Sequence, residues 1–206
     1  MEPKEFLMKL QKLVGLSQAG LTYCENKFDL ERYAEIKEIS EELISTLTGE
    51  NIERVKEFYP DSDGYLTPKV DVRAVVIKGS KILLVKENVD GRWSLPGGWA
   101  DVGITPSENA VKEVREESGF EVKVIRLLAV HDKAKHSPQT SYMYIYKLFF
   151  LCEITGGDAV SGTETTGVGF FGLNELPPLS EGRNTKDQIR LMFKMAEDES
   201  ILPVFD

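Results

Sequence analysis

Three carboxylates, Glu113, Glu116 and Glu117, carry the most evident chemistry in this chain. On a helix, positions i, i+3 and i+4 share one face, so all three project within about a turn of one another. Like charges so placed repel by about 0.2–0.5 kcal/mol per pair in water. A hard divalent cation with oxygen ligands reverses the sign of that term. The spacing points to Mg²⁺, with Mn²⁺ as the alternative ion. A metal held this way polarises a phosphoryl oxygen, makes hydroxide at neutral pH and steadies a leaving phosphate, which are the needs of pyrophosphate hydrolysis. A plain solvated helix face is the competing reading, and the neighbouring residues bear on the choice.

Those residues supply a helix start, a stop and a ligand loop. Thr105 is placed as N-cap, Pro106 at the first helical position, and Glu108 closes a Thr-x-x-Glu capping box, while Gly119 ends the helix. Upstream, Trp93-Ser94-Leu95-Pro96-Gly97-Gly98 reads as a strand end entering a loop whose paired glycines let the backbone approach a ligand closely. Trp99 follows directly and is expected near bound phosphates.

Gly98 to Phe120 resembles the Nudix box, Gly-x5-Glu-x7-Arg-Glu-U-x-Glu-Glu-x-Gly-U, with U an apolar residue. Gly98, Glu113, Val114, Glu116, Glu117, Gly119 and Phe120 match it; Ile104 stands at the first glutamate position and Lys112 at the arginine. Lys112 keeps the charge and can pair with Glu116 at i+4, as a point charge and not a planar fork. The resemblance implies a Nudix α/β/α sandwich with a mixed sheet over residues 67–206. It also implies metal ligation by Glu113, Glu116, Glu117 and the carbonyl of Gly97, and a substrate in which a nucleoside diphosphate is linked to another group. A catalytic base would be Glu116 or Glu117 or, by a subfamily pattern, Glu164 in the loop Thr163-Glu164-Thr165-Thr166-Gly167.

Likeness beyond the box, in Val72-Arg73-Ala74-Val75-Val76 and in Leu173 to Ser180, extends to bacterial Nudix hydrolases of CDP-choline or ADP-ribose. It implies CDP-choline cleavage to CMP and phosphocholine first. ADP-ribose pyrophosphatase, RNA processing and a non-catalytic regulator are the alternatives. Candidates for touching substrate are Arg73, which either pairs with Asp71 or meets a phosphate, Trp99, and Tyr144. The last is read with Tyr142 and Tyr146 as one face of a strand, for core packing or for stacking on a base. His131 and His136 are read as solvated loop residues or phosphate contacts.

Residues 1–66 show no strand pattern. Leu7, Leu10, Val14 and Leu21 make one 3.6-period stripe, Tyr33, Ile36, Ile39, Leu43 and Leu47 a second, and a short third helix spans residues 51–58. Such helices cannot bury their stripes alone, so a small all-helical N-terminal domain that docks or forms a homodimer is expected. A turn cluster, Pro60-Asp61-Ser62-Asp63-Gly64, marks the boundary. Beyond it strands are expected at 70–77 and 81–86, joined by a type II′ turn at Gly79-Ser80, then at 121–130, 141–154 and 168–171, with a closing helix over 184–198.

The formal charge of the 206 residues is −9, of which residues 1–66 carry −6. That argues against a duplex-DNA surface, which needs a basic stripe, and leaves a small nucleotide bridged by metal. No signal-peptide pattern and no apolar run of membrane-spanning length occur, and Cys24 and Cys152 have neither disulfide-framework nor zinc spacing. A cytoplasmic protein with reduced thiols is expected.

Overall fold

In the computed structural model residues 2–59 and 64–206 are described, so most of the Pro60–Gly64 turn lies outside them. The chain divides into two compact units. One comprises residues 1–69 with 139–144, the other residues 70–138 with 145–206.

The first unit is helical, with α1 (Pro3–Tyr23), α2 (Lys27–Thr48) and α3 (Ile52–Phe58). Asn26 and Asn51 cap α2 and α3 by accepting from Phe28 N and Glu53 N. Leu7, Leu10, Val14, Ile44, Val55 and Tyr59 form its core. On α1 the expected stripe is largely the buried one, but on α2 it is not. The side chains turned inward are Lys37, Ser40, Glu41 and Ile44, whereas Ile36, Ile39 and Leu43 are 41%, 49% and 41% exposed. An apolar period fixes a helix face without saying what covers it.

The second unit is a sheet between two helices. Its strands are β1 (Lys69–Lys78), β2 (Lys81–Glu87), β3 (Trp93–Ser94), β4 (Phe120–Asp132), β5 (Ile145–Gly157), β6 (Thr165–Phe171) and β7 (Val204–Phe205). The order is β3-β2-β1-β5-β4-β7, with β6 also on β2. β2 pairs antiparallel with β1, β3 and β6, and β7 is parallel to β4, so the sheet is mixed. Helix α4 (Pro106–Ser118) covers one face, where Ala110 and Val114 meet Val72, Ala74, Val76, Leu83 and Val122. Helix α6 (Lys186–Glu197) covers the other, where Ile189, Met192 and Phe193 meet Val75, Ile82, Leu84, Leu128 and Phe149. With both faces covered, β1 is buried without interruption from Asp71 to Val76, as sheets between two helix layers require.

Several local expectations change. Gly79 and Ser80 both have positive φ, 55° and 57°, the sign pattern of a type I′ and not a type II′ turn, and the one that follows the right-handed twist of the strands. The strand expected from 141 starts at Ile145, so Tyr142 and Tyr144 lie outside it and do not share a strand face with Tyr146. Tyr142 belongs to the helical unit. Its carbonyl accepts from Gln11 Nε2 and Tyr59 Oη, and its ring meets Phe58 edge-on. The segment read as a polar loop from His131 begins inside β4 and continues as a short helix, α5 (Lys133–His136), capped by Asp132.

Candidate active site

The site grows from the packing of α4 on β1. Thr105 and Glu108 exchange both bonds of a capping box, and Gly119 closes the helix in the left-handed region. Burying Val114 contributes about 1.5–3 kcal/mol, several times the repulsion among the glutamates, so the apolar face fixes the helix and the carboxylates follow. The glycine loop is laid along β1 by Val72 N donating to Gly98 O at 2.8 Å, Ala74 N to Pro96 O at 2.9 Å and Ala100 N to Val70 O at 2.9 Å. Gly97 has φ 142°, and a Cβ there would sit 2.0 Å from the Val72 carbonyl oxygen. Only glycine fits so close a crossing.

The three glutamates occupy different environments. Glu117 is buried, and its Oε2 accepts from Gly97 N at 2.8 Å. Burial pushes its pKa up to about 8, against the pull of that bond and of Arg73. Glu113 is half-buried and also shifted upward, first by burial; its carboxylate is the nearest group to Gly98, 3.4 Å from where a Cβ would stand. Glu116 is exposed and pairs with Lys112 at 3.1 Å. Lys112 also reaches Asp101 at 3.1 Å and Glu113 at 3.6 Å. Its pKa is raised, first by the bond to Glu116 and then by that to Asp101. Among the described residues no three acidic, histidine or cysteine side chains are gathered about one point; Lys112 holds Glu116, and Gly97 N holds Glu117. The donors nevertheless fit a hard cation. One is a buried and one a half-buried carboxylate, each shifted upward first by burial, and they lie beside Gly97 and Gly98.

The other candidates separate. Arg73 is buried, gripping Asp71 with Nε at 2.7 Å and Nη2 at 2.9 Å while Nη1 donates to Leu95 O at 3.1 Å. It therefore supports the glycine loop from beneath and does not present itself to a phosphate. Trp99 is 45% exposed at the loop's end, and its backbone bridges to Asp71. Tyr144 belongs to the helical unit, where its carbonyl accepts from Lys69 N. Glu164 is exposed, but its loop is tied to the box helix: Thr165 Oγ1 donates to Glu117 O at 2.8 Å, and Gly162 lies so near that a Cβ would meet Glu116 O at 1.9 Å. His131 and His136 are stacked at 3.8 Å, with His136 on Asp206 at 2.9 Å. Burial lowers the His131 pKa to about 4.

Sequence reading missed the polar floor beneath the loop. Asp71 is shared by Arg73 and by buried Lys147, whose Nζ is 3.2 Å from Oδ2 and donates to Arg183 O at 2.6 Å. Glu87 accepts from Ser94 Oγ and from Arg183 Nε. Asn184 Oδ1 takes the Leu95 N–H. These residues come from β1, β2, β5 and the turn before α6, so no local pattern joins them.

A mixed sheet between helices, with a glycine loop feeding a carboxylate-bearing helix, defines a phosphoanhydride hydrolase of the box-bearing class. The NUDIX domain description matches residues 67–192, and a UDP-X-like, N-terminal oligomerisation domain matches residues 4–59. The chain belongs to the Nudix family and is a Nudix hydrolase. The Bacillus subtilis (strain 168) protein called "Putative ADP-ribose pyrophosphatase YjhB" is 39% identical over 98% of this chain and 97% of that protein. An ADP-ribose pyrophosphatase structure from Streptococcus suis 89-1591 is 45% identical, covering 68% of this chain and 100% of that one, with TM-score 0.63. A UDP-X diphosphatase structure is 34% identical with 100% of both chains covered and TM-score 0.65.

Proposed function

We propose that this hydrolase cleaves the phosphoanhydride of a nucleoside diphosphate linked to a sugar, with ADP-ribose as the leading substrate. The observation that carries the reaction type is Glu117, a buried carboxylate docked on Gly97 N where the glycine loop meets α4. The names of the relatives just described support the choice among substrates. None of them supports the expected CDP-choline, which gives way to ADP-ribose.

Glu113, Glu116, Glu117 and the Gly97 carbonyl are the residues that would hold Mg²⁺ or Mn²⁺. Such an ion supplies Lewis-acid polarisation of the phosphoryl oxygen and an acidified water. The chain's own residues do the rest. Asp71 and Arg73 hold the loop, Glu117 locks it to the helix, and Lys112 can swing outward from Glu116 and Asp101 because its side chain is partly exposed. The proton of the attacking water goes to Glu116 or Glu117, with Glu164 as the outside candidate. Trp99, exposed at the end of the glycine loop, is proposed to lie against the base or sugar. The test is a panel of ADP-ribose, a UDP-sugar and CDP-choline with Mg²⁺, resolving both products. We expect AMP and ribose 5-phosphate, at a kcat/KM at least about tenfold above that for CDP-choline. Cleavage of none of the three would overturn the reading.

We also propose that residues 1–66 form a dimerisation domain and residues 67–206 the hydrolase domain. Exposed Ile36, Ile39 and Leu43 on α2, with Leu13 and Leu16 on α1, support this. Light scattering is expected to give about twice the 23.1 kDa chain mass, and a monomer at micromolar concentration would refute it. No helix among the described residues is long and apolar enough to cross a membrane. Both cysteines are free, which fits the cytoplasm as the expected compartment.

A further inference from the structure

We infer that Lys112 is a built-in counter-ion of the metal site: its ammonium group fills the cation place between Glu113 and Glu116 until Mg²⁺ or Mn²⁺ displaces it onto Asp101. The inference rests on the proposed metal ligands and adds Asp101, a position that the box leaves unspecified.

The distances converge on one atom. Lys112 Nζ stands 3.1 Å from Glu116 Oε2, 3.6 Å from Glu113 Oε1 and 3.1 Å from Asp101 Oδ2. Two of these carboxylates belong to the proposed metal ligands. The third does not, and it is fixed by contacts of its own. Asp101 N donates to Asn109 Oδ1 at 3.0 Å, and Asn109 is wholly buried on α4, with its Nδ2 donating to Thr105 O at 3.3 Å. Asn109 lies three positions before Lys112, so one face of the helix carries both the ammonium and the anchor of its outside partner. The flexible lysine stem can serve all three acceptors in turn, which a planar guanidinium fork could not do as readily.

A divalent ion offers these glutamates twice the charge of an ammonium and binds their oxygens directly. Metal and ammonium cannot both sit on Glu113 and Glu116, because like charges a few ångströms apart repel. In the metal-free protein Lys112 offsets the repulsion between the two glutamates. When metal enters, Asp101 keeps the ammonium paired, and this shift is the first part of the outward swing that a side chain 38% exposed allows. Metal binding is then an exchange of one cation for another, with an affinity below what the carboxylates alone would give. Exposed ion pairs are individually weak and screened by salt, so the factor is modest and greatest at low ionic strength. A lysine that only oriented Glu116 would have the opposite effect: its loss would weaken metal binding.

The test is calorimetric titration of the full-length, metal-free protein with Mg²⁺ and no substrate. It compares wild type with Lys112→Gln, Lys112→Arg, Asp101→Asn and the Lys112→Gln/Asp101→Asn double variant. Arg115→Gln, which alters an exposed cation of the same helix, is the control of equal charge change. Lys112→Gln is expected to tighten Mg²⁺ binding about fivefold at low salt and to lower the metal-free melting temperature by a few degrees. Lys112→Arg and Arg115→Gln should each stay within about twofold of wild type. Asp101→Asn should weaken binding about threefold, and by much less when Lys112→Gln is already present. Weaker or unchanged Mg²⁺ binding in Lys112→Gln would overturn the inference, as would equal tightening in Arg115→Gln or no detectable Mg²⁺ binding in any variant. An equal loss from Asp101→Asn in both backgrounds would overturn the part given to Asp101. If wild type cleaves no ADP-ribose yet Lys112→Gln binds Mg²⁺ more tightly, the exchange stands and the substrate assignment is what fails.

Discussion

Glu117→Gln is expected to lower kcat at least about 100-fold while leaving the metal-free protein as stable as wild type or more so. The amide keeps the shape and can still accept the Gly97 N–H that the carboxylate accepts at 2.8 Å. What is removed is charge: a metal ligand's, and one that is expensive to bury. The stability sign follows from the raised pKa. A carboxyl that titrates near 4.5 unfolded and at about 8 folded binds more protons when folded, so metal-free stability falls as pH rises between those values. Gln removes that loss, so at pH 8 without metal the variant should melt at or above wild type. It should also lack most of the Mg²⁺-dependent gain, which for wild type is about 2.7 kcal/mol at 100 times the dissociation constant. Turnover above a tenth of wild type would remove Glu117 from the machinery. The same assay on Glu164→Gln bears on the base: more than half of wild-type turnover at every pH would return the base to the box.

The second large effect is expected from Gly97→Ala. Its backbone, at φ 142°, suits glycine alone, and the new Cβ would stand 2.0 Å from Val72 O and 2.9 Å from Arg73 Cα. Both neighbours are backbone atoms of β1, inside a sheet covered on both faces, so neither can yield cheaply. Relief requires moving the loop off the strand, breaking the bonds from Val72 N to Gly98 O and from Ala74 N to Pro96 O and withdrawing Gly97 N from Glu117. We expect a loss above about 4 kcal/mol, a melting temperature lower by about 10 °C or more, and kcat/KM down at least about 100-fold. Gly98→Ala is the control. Its Cβ would meet only the movable Glu113 carboxylate, at 3.4 Å, so its melting temperature should change by a few degrees at most. Equal tolerance of the two alanines would show that the loop is not pinned on β1.

How much of this was legible beforehand follows the range of the interactions. The α4 start, stop and carboxylate spacing could be read directly, because capping, glycine termination and i, i+3, i+4 geometry act within one or two turns. The alternation of sheet and helix could be read for the same reason. The outcome at Arg73 could not. Whether a cation is held beneath a loop or left to meet a ligand depends on partners 22 to 76 positions away, such as Leu95 and Lys147 for the Asp71–Arg73 pair. The three glutamates were equivalent in sequence. The packing of α4 on β1 made Glu117 the buried one and left Glu116 in water. The α2 stripe and the 142–146 tyrosines show the same division. Periodicity established that a face exists, but what the face meets was settled by long-range packing, which carries no local signature.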